Sequence, residues 1–111
     1  MVEVSQYATL IKKIIDEYAS IPSSVGEIDT EIITDEAKGH FELMRSGWIS
    51  GRRIHGSLIH VDIRGGKIWI QHDGTEDGVA NKLVAAGVPK DKIVLAFKSP
   101  EFRKYTDFAV A

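Results

Sequence analysis

From Tyr7 the apolar residues recur at Tyr7, Leu10, Ile11, Ile14, Ile15 and Tyr18, while Lys12, Lys13, Asp16 and Glu17 fall between them. Three-and-four spacing gathers the first set on one stripe of a helix that covers a sheet. Ser5 is its expected N-cap, and Ile21-Pro22 its stop, because proline disfavours helix in the residue before it. Ser23-Ser24-Val25-Gly26 reads as a turn. Beyond it the period shortens: Ile28, Ile32, Ile33, Phe41 and Leu43 sit in two extended runs on either side of the polar Asp35-Glu36-Ala37-Lys38-Gly39, which predicts a hairpin.

A second turn at Ser50-Gly51-Arg52 opens a run from Arg53 to Ile63, and Gly65-Gly66 reverses the chain into Lys67-Ile68-Trp69-Ile70-Gln71. Paired glycines between alternating runs mark a two-residue hairpin, since its turn needs positive φ. With that turn as origin, Arg64 faces Lys67, Ile63 faces Ile68, Asp62 faces Trp69, Val61 faces Ile70 and His60 faces Gln71. One sheet face then carries Ile59, Val61, Ile63, Ile68 and Ile70; the other carries His60, Asp62, Arg64, Lys67, Trp69 and Gln71. Ile54 and Leu58 fall on the phase of the second face, so a bulge or bend is expected at Gly56. Helical spacing resumes from Thr75 to Ala86 and stops at Gly87; Lys92 to Phe97 has the length and composition of a strand. The pattern predicts an α+β domain: a mostly antiparallel sheet with an N-terminal helix and a second helix packed largely on one face.

Composition narrows the function classes. A chain of 111 residues fits one domain, 1–111, with a single modest core. It has no cysteine, which excludes disulfides, thiolate metal ligands and a thiol nucleophile and fits a cytoplasmic setting. No apolar run approaches the roughly 18 residues of a membrane span, so no membrane partner is expected. Fourteen basic and sixteen acidic residues give a net charge of −2, which offers no global positive field for nucleic acid.

Reactive side chains concentrate in Gln71-His72-Asp73-Gly74-Thr75-Glu76-Asp77-Gly78. As a calcium loop starting at Asp73 it places Thr75 third, Asp77 fifth and Gly78 sixth, but Val84 twelfth, where calcium needs a bidentate glutamate. A helix start accounts for the same letters: Asp73-Gly74 turns the chain, Thr75 caps, and Glu76 and Asp77 complement the positive helix end. His72 falls on the core phase of its strand and Asp73 on the opposite one. His60 and Asp62 share a face, but two positions apart on a strand stand too far for an easy hydrogen bond, and no nucleophile accompanies them. Glu36-Ala37-Lys38, with Asp29, imitates a nuclease acid-x-lysine pattern but lies in a predicted turn. No catalytic, metal or cofactor-binding residue is therefore assigned. Arg52, Arg53 and His55, near Trp48, form the best basic and aromatic cluster for contact with nucleic acid. Trp69 on a polar face, with Leu58, His60, Asp62 and Gln71, is the expected partner-binding surface.

The stretch GWISGRRIHGSLIHVDIRGGKIWIQHDGTEDGVANKLVAAGVPKDKIVLAF, with YTDFAVA at the end, resembles the XisI-like family, named for the fdxN element excision controlling factor of cyanobacteria. The likeness is densest over Arg52 to Gly56, Lys67 to Gln71, Asp73 to Glu76 and Gly87 to Lys90; Ser46 stands where an apolar residue is usual. The resemblance implies a non-enzymatic accessory factor for excising a DNA element during heterocyst differentiation. Such a factor is expected to have an XisH-like protein as its partner, with a site-specific recombinase as a further candidate, and to touch DNA only weakly or through its partner. A second copy of the chain is a further expected partner. A small metal-dependent nuclease or hydrolase using His60, Asp62, His72 or Asp73, or a direct DNA-binding regulator, is the alternative.

Overall fold

The computed structural model describes residues 3–21 and 26–111. A 3-10 turn, Val4–Gln6, runs into helix α1, Tyr7–Ala19. Ser5 lies inside that turn and does not cap; the start is set earlier, where the Glu3 N–H donates to Gln6 Oε1 at 3.0 Å. The expected turn at Ser23-Ser24-Val25-Gly26 lies, but for Gly26, outside the described residues. Strands β1 (Glu27–Asp35) and β2 (His40–Ile49) form the first hairpin, around a 3-10 turn at Glu36–Lys38 that holds the nuclease-like tripeptide. β3 (Arg52–Arg64) and β4 (Lys67–Asp73) follow, joined by Gly65 and Gly66 at φ 56° and 75°, the left-handed pair that the turn demands.

Helix α2 (Val79–Ala85) carries the chain over to β5 (Ile93–Leu95), and a short helix α3 (Pro100–Arg103) precedes the C-terminal segment. The sheet has five strands in sequence order, antiparallel from β1 to β4, with β5 parallel to β4. A crossover helix permits that last parallel pairing. The α+β architecture of the sequence is thus the architecture of the fold. No helix among the described residues is long and apolar enough to cross a membrane.

One face of the sheet is sealed. Tyr7, Ile11, Ile14 and Ile15 of α1 and Val79, Ala80 and Leu83 of α2 pack on Phe41, Leu43, Ile59, Val61, Ile68 and Ile70. β1 contributes little to this core, for every residue of it except Ile28 is exposed.

Two bulges reset the faces. Between β2 and β3 the register shifts beyond Leu43, which pairs with Ile59, whereas Met44 pairs with Ser57 and Leu58 is the extra residue. The bulge is therefore at Leu58, not at Gly56, which pairs regularly with Arg45. Leu58 turns to the helix side and packs against the core, leaving the outer face on which sequence phase had placed it. Between β3 and β4 the four pairs nearest the glycine turn are as counted, but His60 pairs with His72 rather than Gln71. Gln71 is the extra residue there. Its insertion reverses the phase of the residues after it: His72 is exposed instead of core-facing, and Asp73, opposite Ile59, reaches the helix side.

That reversal decides how α2 begins. Asp73 Oδ2 accepts from the Val79 N–H at 2.7 Å, and its Oδ1 accepts from the Thr75 N–H at 2.9 Å and the Thr75 hydroxyl at 2.6 Å. Thr75 Oγ1 accepts from the Gly78 N–H at 3.1 Å, so Thr75 shapes the turn while Asp73 caps the helix. The helix starts at Val79 rather than Thr75 because Gly78, at φ 86°, closes that turn first.

Candidate functional site on the uncovered sheet face

Neither α1 nor α2 covers the second face, and its polar side chains converge on Asp62. Register sets this carboxylate between His40 of β2 and Trp69 of β4. It is the only buried charged residue among those described, at 6% exposure. Its Oδ1 faces His40 Nδ1 at 3.0 Å and His60 Nε2 at 3.2 Å. Its Oδ2 accepts from Arg64 Nη2 at 3.2 Å and from Gln71 Nε2 at 3.3 Å. A buried carboxylate with polar partners on both oxygens is held in one orientation.

The His60–Asp62 contact overturns the expectation that the two stand too far apart. Same-face positions on a strand are roughly 7 Å apart, but an imidazole places Nε2 well beyond Cβ and leans along the strand. The His40 and His60 rings lie with centroids 4.6 Å apart. On its far side His40 Nε2 faces Glu42 Oε2 at 3.4 Å, and Glu42 Oε1 accepts from the Ser57 hydroxyl. That hydroxyl, assisted by His40 and His60, holds the Glu42 carboxyl below its ordinary range against the opposing effect of burial.

His40 and Glu42 were absent from the sequence-derived site. A signal for them exists. Counting back from the Ser50-Gly51 turn pairs Met44 with Ser57 and would then set Phe41 against His60. Matching the apolar pairs Phe41 with Val61 and Leu43 with Ile59 demands one more residue in β3, and that correction brings His40 opposite Asp62.

Trp69 is half-buried on the same face. The Arg103 guanidinium sits 5.7 Å from its ring centroid. Arg103 is itself fixed by donating from Nε to the Lys98 carbonyl at 3.0 Å and from Nη2 to the Ala96 carbonyl at 3.3 Å. The C-terminal segment therefore shields part of the indole and presents its own aromatics: Phe97, Phe102 and Tyr105 are 49%, 64% and 77% exposed. Of the proposed partner surface, His60, Asp62, Trp69 and Gln71 share this face, and Leu58 does not.

Arg52 and Arg53 are exposed at the start of β3, and with Arg45 and His55 they line a shallow depression of about 360 Å3. The Arg53 guanidinium lies 5.4 Å from the Trp48 ring centroid, a cation–π arrangement at the far end of the sheet from Asp62. The residues considered for hydrolysis do not make one site. His60 and Asp62 are together, but Asp73 is on the helix side and committed to capping α2, with His72 facing away from it.

A model described as XisI protein matches residues 1–110. No curated protein matches the chain. A solved XisI-like protein from Anabaena variabilis ATCC 29413 is 38% identical, with a TM-score of 0.88 over 98% of this chain and 100% of that one. The fdxN element excision controlling factor XisI from the same organism is 31% identical, with a TM-score of 0.79 over 97% of this chain and 98% of that one. With the family match over residues 1–110 and both solved structures superposing over nearly the whole chain, the chain belongs to the XisI family.

Proposed function

We propose that this protein is a non-enzymatic accessory factor in the control of DNA-element excision, acting by binding an XisH-like protein and, through it, a site-specific recombinase. The role in excision control follows from its likeness to the excision controlling factor. The observation that carries the mode of action is the sheet face that α1 and α2 leave uncovered, where half-buried Trp69 adjoins a segment exposing Phe97, Phe102 and Tyr105. Aromatic side chains left this accessible are typical anchors of protein interfaces. Co-purification with an XisH-like protein tests this. Trp69→Ala is expected to weaken the complex by at least about 2 kcal/mol, roughly 30-fold. Tyr105→Ala, at a position too exposed to matter for folding, gives the same direction. Association that survives both changes in folded protein overturns the reading.

A second reading, direct contact with DNA, has the arginine-lined depression in its favour. At physiological salt the lone chain is expected to shift duplex DNA weakly, given its net charge of −2. Tight binding abolished by Arg52→Ala and Arg53→Ala would promote this reading over the first.

A further inference from the structure

Each ring nitrogen of His40 faces a carboxylate oxygen: Nδ1 faces Asp62 at 3.0 Å and Nε2 faces Glu42 at 3.4 Å. A neutral imidazole carries one N–H and one lone pair, so it can satisfy only one of the two. A second imidazole nitrogen, His60 Nε2, converges on the same Asp62 oxygen. Three atoms able to act as ligands thus point at one small volume, where a cation would take the lone pairs of both imidazoles and the carboxylate oxygen together.

We propose that His40 Nδ1, His60 Nε2 and Asp62 Oδ1 form a site for a divalent transition metal of the zinc class. The ligand atoms lie within 4.8 Å of one another, with the carboxylate oxygen 3.0 and 3.2 Å from the two ring nitrogens. Ligands about 2.0–2.1 Å from a tetrahedral zinc ion stand about 3.3 Å apart, so a modest outward movement accommodates the ion. The surroundings do what an outer shell does. Glu42 takes the Nε2–H of His40 and leaves Nδ1 with its lone pair free; Ser57 holds Glu42 in turn. Arg64 and Gln71 occupy Asp62 Oδ2 and turn Oδ1 towards the imidazoles. Two imidazoles and one carboxylate favour zinc, cobalt or nickel over magnesium and calcium, which take oxygen ligands. The fourth position falls to water on the half-exposed side of the histidines. The site bridges β2 and β3, for His40 comes from one and the other two ligands from the next.

The test is calorimetric titration of the full chain, freed of metal by a chelator, with zinc chloride. One equivalent is expected to bind, and magnesium none. Glu42→Gln should weaken zinc binding about 10- to 100-fold, as loss of an outer-shell partner does. His40→Ala and His60→Ala should weaken it further, and His72→Ala should leave it unchanged. Long-range nitrogen–proton NMR of the unmodified protein keeps the test independent of folding in the variants: zinc should shift His40 Nδ1 and His60 Nε2 and spare His72. Absence of zinc binding, binding that survives loss of both histidines, or shifts confined to other histidines overturns the proposal.

Discussion

Along β2, Phe41 and Leu43 are wholly excluded from solvent, while His40, Glu42 and Met44, interleaved with them, stay half-exposed. The two sheet faces are thus built from alternate residues of the same strands, but they cohere differently. The helix face is held by shape: apolar side chains from two helices and four strands fill one volume, and any of them tolerates small shifts of its neighbours. The outer face is held by direction. Its order depends on four donors or ring nitrogens meeting the two oxygens of one carboxylate, which a shift of one residue would abolish.

The sharpest way to break this contrast is to truncate one residue of each kind. Phe41→Ala should cost about 3–5 kcal/mol by opening a cavity in the core, read as a fall in denaturation midpoint. Asp62→Ala should cost less, about 1–3 kcal/mol in metal-free protein, because the half-buried and exposed polar groups around it can turn to water once the carboxylate is gone. If the order were reversed, the outer face and not the core would dominate stability.

Asp73→Ala should cost about 1 kcal/mol through loss of the α2 cap. Thr75→Ala should cost less than Asp73→Ala, since its hydroxyl serves the preceding turn and not the first N–H of the helix. Equal or inverted values from thermal melts would mean that the phase reversal at Gln71 does not fix the helix start. The smallest effect concerns acid. The Glu42 carboxyl lies below its ordinary value of 4.5 in the folded chain, so its contribution is complete above that value and lost as pH falls through the lowered one. A stability profile from about pH 6 to pH 3 should fall less steeply for Glu42→Gln.

Local order is legible where a turn residue and an apolar alternation agree. Gly65-Gly66 and the isoleucines around it fix four pairs correctly, because both signals specify the same register. At His60 the turn alone sets the count, and an extra residue at Gln71, which has no special backbone requirement, gives no compositional sign of itself. At Leu58 the residue type is equally silent, and only matching Phe41 and Leu43 to apolar partners across the strands reveals the extra residue and with it His40. The cluster at Asp62 spans strands 22 positions apart in sequence, so one miscounted residue between them removes it from view. Trp69 lies on the face that its phase predicts; the Arg103 guanidinium beside it depends on the course of the C-terminal segment, which no periodicity records.

β1 has a consequence for what happens when copies of this protein crowd together. It is nine residues long, pairs only with β2 among the described strands, and carries Ile32 and Ile33 in the open. A bare strand edge of that kind templates the addition of another strand, the first step towards aggregation. Glu27, Asp29, Glu31 and Asp35 alternate along the same strand. Two copies laid edge to edge set these carboxylates against one another, and like charges facing across strands repel. The exposed acids of β1 thus act as the chain's guard against itself.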